Sequence, residues 1–121
     1  MKDETKRWLK KAREDMGTAE YNFKGNKLGA AAFYSQQTTE KALKALQIER
    51  LGKFDKIHDL LTLSKSVGAP EDVIESCAVL NPYYTITRYP DSEERIDEKE
   101  AKLLVEKARK VIGWAGQNLK Q

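Results

Sequence analysis

Apolar residues recur every three or four positions along most of this chain, which is the spacing of one face of an α-helix. The first such stripe runs from Glu4 to about Lys24, and Asp15 is its only charged member. Its other members are Trp8, Ala12, Ala19 and Phe23. The pattern therefore predicts a first helix with one acidic side chain on its apolar face.

Two further helices are predicted before the middle of the chain. A pattern rich in Ala, Gln, Leu, Glu and Lys predicts the second from Ala30 to about Leu51, where Gly52 supplies a stop. Asp55 is placed to cap a short third helix that ends near Gly68. The apolar members of this third helix are Ile57, Leu60, Leu61 and Leu63.

The C-terminal half predicts two more helices separated by a loop. The fourth helix begins just after Pro70, and Pro82 must kink or restart it because proline cannot donate an interior hydrogen bond. The segment 88–92 is predicted to be a loop, since a proline at its centre disfavours α geometry in the residue before it. Asp97 and Glu100 have the spacing of a capping box and predict the start of the last helix.

These elements predict an all-α fold, an up-and-down antiparallel bundle of four long helices plus one short helix. A chain of 121 residues has the size of one domain, so we expect residues 1–121 to form a single helical domain. No apolar run approaches the roughly 18 residues that a membrane span requires. Cys77 is the only cysteine, which excludes an intrachain disulfide and favours a reducing, cytoplasmic location.

Charge and glycine spacing narrow the classes of function. The chain has 22 basic and 19 acidic residues, and the formal net charge of +3 is small for a protein that coats duplex nucleic acid. Any nucleic-acid contact should therefore be local. The glycines have neither Walker nor Rossmann spacing, and no Cys/His set has zinc-ligand spacing, so we expect no cofactor and no metal.

The second predicted helix carries an unusual polar face. Phe33, Gln37, Glu40 and Lys44 follow one another at spacings of four, three and four, so three polar groups share a face with an aromatic ring. This face is a candidate ligand-binding groove. The alternative is that Glu40 and Lys44 form an ordinary exposed ion pair of a few tenths of a kcal/mol.

His58 is the only histidine, and histidine is the side chain that transfers protons most readily near neutral pH. It is therefore a candidate catalytic group. The alternative is a structural role, because His58 precedes the apolar pair Leu60 and Leu61 and has no nucleophile at a useful spacing.

Three of the five tyrosines cluster beside an arginine, in the order Tyr83, Tyr84, Arg88, Tyr89 and Asp91. Aromatic rings offer stacking faces, and a guanidinium offers a bidentate donor for phosphate, so this cluster is a candidate contact for nucleotide or single-stranded RNA. The alternative is that the tyrosines pack between helices while Arg88 pairs with Asp91 or with Glu40.

Taken in order along the chain, these motifs resemble those of the HEPN family. The residues that carry the resemblance are Trp8 with Asp15 and Ala19, Phe33-x-x-x-Gln37-x-x-Glu40-Lys41-Ala42-Leu43-Lys44-Ala45, His58-x-Leu60, and Tyr84-x-x-x-Arg88-Tyr89-Pro90-Asp91. The resemblance covers nearly the whole chain. It implies a bundle of four or five helices, commonly a homodimer, often encoded beside a minimal nucleotidyltransferase in a toxin-antitoxin-like arrangement.

The resemblance also implies one cleft, bordered by Gln37, Glu40, Lys44, His58, Arg88, Tyr89 and Asp91. In that cleft Arg88 and Lys44 would hold phosphate. Tyr84 or Tyr89 would stack on a base, and Gln37 would hydrogen-bond the edge of that base.

One departure from the family pattern bears on catalysis. Ribonuclease members of the family carry an Arg-x(4–6)-His motif late in the chain, whereas His58 is early and Arg50 precedes it by eight positions. We therefore expect a binding domain for nucleotide or RNA, in the cytoplasm of a prokaryote, and not a nuclease of the usual kind. The alternatives are an atypical ribonuclease that uses His58 and Arg88, and a structural dimerisation module.

Overall fold

Helices and short turns account for the part of the chain that the computed structural model describes, residues 1–89 and 95–120. The helices are α1 (Asp3–Lys24), α2 (Leu28–Leu51), α3 (Leu60–Ser66), α4 (Glu71–Leu80), α5 (Tyr83–Ile86) and α6 (Glu98–Leu119). No strand occurs among these described residues, and the predicted all-α bundle is confirmed. Nor is any helix of the described ranges both long and apolar enough to cross a membrane.

A tight turn makes α1 and α2 an antiparallel pair. Only three residues, Gly25 to Lys27, separate the two helices, and Asn26 takes the left-handed conformation with φ of 60°. Helices joined by so short a loop must run back along each other. The buried residues of α1 are Thr5, Leu9, Ala12, Asp15, Met16 and Ala19, which confirms the predicted stripe and its single acid.

The third helix begins later than predicted. Asp59 caps it, since its carboxylate accepts from the backbone N–H of Leu61, and the expectation that Asp55 is the cap is wrong. Asp55 instead holds the loop to α2, because its carboxylate accepts from the Gln47 amide and its backbone N–H donates to the same side chain. Residues 52–59 are therefore a loop, and His58 lies in it, just ahead of the helix.

Pro82 ends one helix and starts another. The fourth helix stops at Leu80, and a single helical turn, α5, follows directly after Pro82. Tyr84 accordingly belongs to α5 and not to α4. α4 has 10 residues, whereas α1, α2 and α6 each have more than 20.

The last helix starts at the predicted cap, but the capping box is only half formed. The backbone N–H of Glu100 donates to the Asp97 carboxylate at 2.7 Å. The side chain of Glu100 accepts instead from the hydroxyl of Tyr83, which ties α6 to α5. Burial and this neighbouring carboxylate raise the pKa of the Tyr83 phenol.

α2 lies at the centre of the bundle and contacts each of the other five helices. Its apolar side chains Leu43 and Leu46 are fully buried, as are Leu60, Leu80 and Leu104 from three other helices. Because α2 is covered on most sides, several of its polar side chains are buried as well. These are Ser35, Gln36, Thr38, Thr39, Glu40, Lys44 and Gln47. The burial of polar groups on this one helix creates the candidate site.

Candidate functional site

The centre of the candidate site is the buried carboxylate of Glu40. It accepts hydrogen bonds from Gln36 Nε2 at 3.2 Å and from Lys44 Nζ at 3.0 Å. His58 Nδ1 lies 3.0 and 3.1 Å from its two oxygens. Glu40, Lys44 and His58, with Tyr84 and Arg88 described below, are called the Glu40 cluster here.

Glu40 is held in its ionised form. Burial by itself raises the pKa of this carboxyl, but the hydrogen bonds from Lys44, His58 and Gln36 outweigh burial, and its pKa lies below the usual value for glutamate. A carboxylate only accepts hydrogen bonds, so His58 Nδ1 is the donor. His58 Nε2 is therefore the ring nitrogen left to act toward a ligand.

The ammonium group of Lys44 is enclosed by aromatic rings. Its side chain keeps 5% of its surface accessible. Nζ lies 5.5 Å from the ring centre of Phe54 and 5.9 Å from that of Trp8, both within the range of a cation–π contact. The alternative of an ordinary exposed pair between Glu40 and Lys44 is therefore wrong, because both members are buried.

His58 and Arg88 both lie against the ring of Tyr84. The imidazole stacks on the Tyr84 ring with centroids 3.9 Å apart and an interplanar angle of 18°. The guanidinium carbon of Arg88 lies 4.3 Å from the same ring centre, and one of its nitrogens donates to the tyrosine hydroxyl at 2.7 Å. The Tyr84 ring is thus the surface on which two candidate ligand-binding groups are arranged.

A chain of hydrogen bonds leads from Glu40 along α2 to α1. Gln36 accepts from Gln37 Nε2 at 2.7 Å, and Gln37 accepts from Lys41 Nζ at 3.0 Å. Lys41 also pairs with Asp15 at 2.6 Å. A cation at one end and a carboxylate at the other fix the orientation of both amides. Gln37 is therefore a link in this chain, and each end of its amide is already engaged.

The two acids of the site are buried, whereas some of its basic groups reach solvent. The side chains of Asp15 and Glu40 keep 3% and 7% of their surface accessible, whereas those of Lys11 and His58 keep 58% and 47%. Lys11 lies 3.5 Å from Asp15, and Arg88 is also exposed. Lys11 and Arg88 therefore present positive charge to solvent, where they can attract anions.

The structure brings most of the residues predicted for a site together. Glu40, Lys44, His58, Tyr84 and Arg88 are in direct contact with one another in series, and Gln37 is one hydrogen-bonded residue away. The alternative pairing of Arg88 with Glu40 is wrong, since Glu40 is held by other donors.

Two predicted residues lie apart from these contacts. Tyr89 is next to Arg88, and its ring is exposed over 59% of its surface. Asp91 lies outside the described residues, so its proposed pairing with Arg88 stays a prediction.

Several members of the site were not predicted from the sequence. Gln36 and Phe54 were not singled out, and Lys41 appeared only within the motif that carries the resemblance, because nothing in their spacing distinguishes them from ordinary helix or loop residues. Asp15 and Trp8 did carry a signal, as the one acid and the one large aromatic group of the first stripe. Across the described ranges, no group of three His, Cys, Asp or Glu side chains is placed to hold a metal ion.

The fold and the site together define a class: a small all-α domain in which a buried carboxylate on the second helix meets a loop histidine and a late tyrosine-arginine pair. The family model of the HEPN domain matches residues 5–119. The chain therefore belongs to the HEPN family. A comparison with curated proteins found no match.

Solved structures of similar proteins agree with this assignment. The crystal structure of TT1696 from Thermus thermophilus is 30% identical and superposes with a TM-score of 0.90, covering 98% of this chain and 100% of that one. ST0689, an archaeal HEPN homologue, is 28% identical with a TM-score of 0.84, covering 99% and 100%. A HEPN domain protein from Thermotoga maritima, TM0613, shares the fold at 23% identity and a TM-score of 0.76, over 93% and 97%.

Proposed function

We propose that this HEPN domain binds a nucleotide, free or at the end of a single-stranded RNA, through the exposed part of the Glu40 cluster. The observation that carries the proposal is the arrangement of His58 and Arg88 on the ring of Tyr84, above a carboxylate that is already neutralised by Lys44. Two donors are thereby held at the surface of the domain.

Each residue has a defined part in this proposal. Arg88 supplies charge-assisted donors to phosphate, and His58 Nε2 supplies a further polar contact. Tyr89 has the exposed ring on which a base can stack, because the ring of Tyr84 is already in contact with His58 and Arg88. Lys44 and Gln37 act indirectly, since one is buried against Glu40 and the other links Gln36 to Lys41.

Membership of the family supports a proposal about partners. We propose that the protein acts in the cytoplasm as a homodimer, in a toxin-antitoxin-like pair with a minimal nucleotidyltransferase that supplies or shares the nucleotide. Co-purification of a nucleotidyltransferase from the native cell with the tagged protein, and its loss on nuclease or nucleotide treatment, would test the pairing. Sedimentation of the purified protein tests the dimer.

The binding proposal is tested by calorimetry with a panel of adenine, guanine and uridine nucleotides. Arg88→Ala should lower the affinity for the tightest-binding nucleotide about tenfold or more, because a charge-assisted contact to phosphate is lost. Arg109→Ala is the matched control, since Arg109 is an equally exposed arginine that pairs with Glu20 on α1, away from the cluster. Equal affinities for the wild type and Arg88→Ala would contradict the proposal.

A second candidate function is ribonuclease activity, favoured by the contact between Glu40 and His58. A carboxylate that holds Nδ1–H orients the imidazole so that Nε2 can take a proton from a ribose hydroxyl, while Arg88 stabilises charge on the phosphate. Incubation with single-stranded RNA and with the same sequence as DNA tests this, because DNA lacks the attacking hydroxyl. Cleavage of RNA alone, abolished in His58→Ala, would establish the enzyme; intact RNA would exclude this activity.

A further inference from the structure

An aromatic pair lies beside the Glu40 cluster, on the far side of Lys44. The rings of Trp8 and Phe54 have centroids 4.7 Å apart and are tilted by 55°, so they are not stacked face to face. Both rings are only partly buried. Trp8 packs against the hydrophobic core, whereas Phe54 comes from the loop 52–59. Because both residues keep some accessible surface, the exposed part of this pair can contact a ligand.

The aromatic pair is close to the exposed histidine. Contacts of 5.5, 3.0 and 3.1 Å in series join the Phe54 ring centre to Lys44 Nζ, then to Glu40 Oε2, then to His58 Nδ1. The ring centre and the His58 nitrogen are therefore at most about 12 Å apart. Roughly two or three consecutive nucleotides of a single strand can cover that span.

The loop that carries Phe54 also carries two lysines. Lys53 and Lys56 are exposed on either side of Phe54. The same segment also carries Asp55 and Asp59, whose carboxylates accept hydrogen bonds from Gln47 and from the first turn of α3. The two lysines can offer their ammonium groups to the phosphates of a strand that lies along this loop.

We propose that Trp8 and Phe54 form a second base-stacking site, and that the ligand of this domain is a single-stranded oligonucleotide of at least two nucleotides. The proposal rests on the proposed function, because it takes the His58 and Arg88 surface as the first contact. Base stacking on aromatic side chains accepts any base, so we expect length dependence with little sequence preference.

A series of ligands can distinguish the effect of a second base on affinity from the effect of additional phosphate charge. We would titrate AMP, ADP, and deoxyadenylate di- and trinucleotides, which have no ribose 2′-hydroxyl at which they could be cleaved. ADP adds phosphate charge with no second base, whereas the dinucleotide adds a second base. The dinucleotide should bind at least several-fold more tightly than ADP, and the trinucleotide more tightly still.

Variants of Phe54 test the ring itself. Phe54→Ala should weaken binding of the trinucleotide by roughly 5- to 150-fold, the range for loss of one stacking ring, and should weaken binding of AMP much less. Phe54→Tyr keeps the ring and should restore trinucleotide binding. Tyr21→Ala is the matched control, since Tyr21 is 79% exposed on α1 and belongs to neither site. Thermal unfolding of each variant shows that it is folded.

The outcomes distinguish this proposal from the one on which it rests. Equal binding of AMP, ADP and the oligonucleotides, all weakened by Arg88→Ala, would overturn the second stacking site and leave the proposed function standing. Equal weakening of AMP and the trinucleotide by Phe54→Ala would also overturn it, because Phe54 would then act only by covering Lys44. Binding of no ligand in the series would overturn both.

Discussion

Glu40 and His58 are joined by a two-point contact in which one imidazole nitrogen lies 3.0 and 3.1 Å from the two carboxylate oxygens. Glu40 is buried in the middle of α2, whereas His58 is exposed in a loop just before α3. The orientation of the histidine is therefore set by the central helix of the bundle, and not by the loop that carries it. This rigidity is what a ligand-binding or proton-transferring group requires.

Removal of the Glu40 charge should strongly destabilise the fold. In Glu40→Gln the Lys44 ammonium remains buried without an anionic partner, and loss of one member of a buried ion pair costs about 3–5 kcal/mol. Urea denaturation followed by circular dichroism measures the free energy of unfolding. Lys44→Met should also destabilise the fold, because it leaves the Glu40 carboxylate buried without its cationic partner.

The double variant provides the control for this prediction. Glu40→Gln with Lys44→Met leaves no unpaired charge, so its loss of stability should be clearly smaller than the sum of the two single losses. Additive losses would mean that the two side chains do not stabilise each other as an ion pair.

The contribution of the Glu40 carboxylate to the stability of the fold should be lost in acid. Its pKa is lowered in the fold from the ordinary value of 4.5, so below about pH 4.5 the unfolded chain binds more protons than the native one. Stability therefore falls as the pH decreases through the native pKa, while Glu40→Gln has no such group to protonate. The difference in unfolding free energy between the two proteins should shrink below pH 4.5. Other carboxyls whose pKa is lowered, such as Asp59, are present in both proteins, so their contributions cancel in this difference.

Two glycines should respond in opposite directions to alanine. Gly17 lies inside α1 with no atom within 4 Å of an added Cβ, so Gly17→Ala should stabilise by about 0.5–1 kcal/mol. Gly52 ends α2 in the left-handed conformation with φ of 78°, so Gly52→Ala should destabilise by about 1 kcal/mol or more. Thermal unfolding of the two variants side by side checks both signs. A stabilised Gly52→Ala would show that this helix end is not held as described.

The single thiol should be unreactive in the native protein. Burial raises the pKa of Cys77 to about 12, and a hydrogen bond with Ser64 only partly opposes it. Iodoacetamide at pH 8 should therefore modify Cys77 in denaturant and leave the folded protein unmodified over the same time, as mass spectrometry would show. Rapid modification without denaturant would mean that α4 opens locally.

The helices were predictable because their signals are local. Spacing alone located the apolar stripe of α1, the stop at Gly52 and the restart at Pro82. The cap of α3 was not predictable in the same way, because Asp55 and Asp59 both satisfy the local rule. Tertiary contacts decide between them: Gln47 holds Asp55, and Asn81 donates to Asp59.

The sequence predicted several of the residues that form the site, but it did not predict that they are buried. Spacing placed Gln37, Glu40 and Lys44 on one face, yet an exposed pair and a buried pair have the same spacing. What buries them is the number of helices around α2, which its own sequence does not specify. The same limit applies to Phe54, which reaches Lys44 only through the fold of a loop.

Five polar residues of the site, Gln36, Gln37, Glu40, Lys41 and Lys44, share the rotational phase of a single helix. One residue inserted between Gln37 and Glu40 would turn the two halves of this set by about 100° relative to each other. The hydrogen bonds from Gln36 to Glu40 and from Lys41 to Gln37 would then be lost. Either the two amides or the Glu40–Lys44 pair would also turn away from its partners outside α2. Variation in this domain can therefore tune the exposed groups one at a time, whereas the buried part tolerates neither the loss of a single charge nor a shift in register.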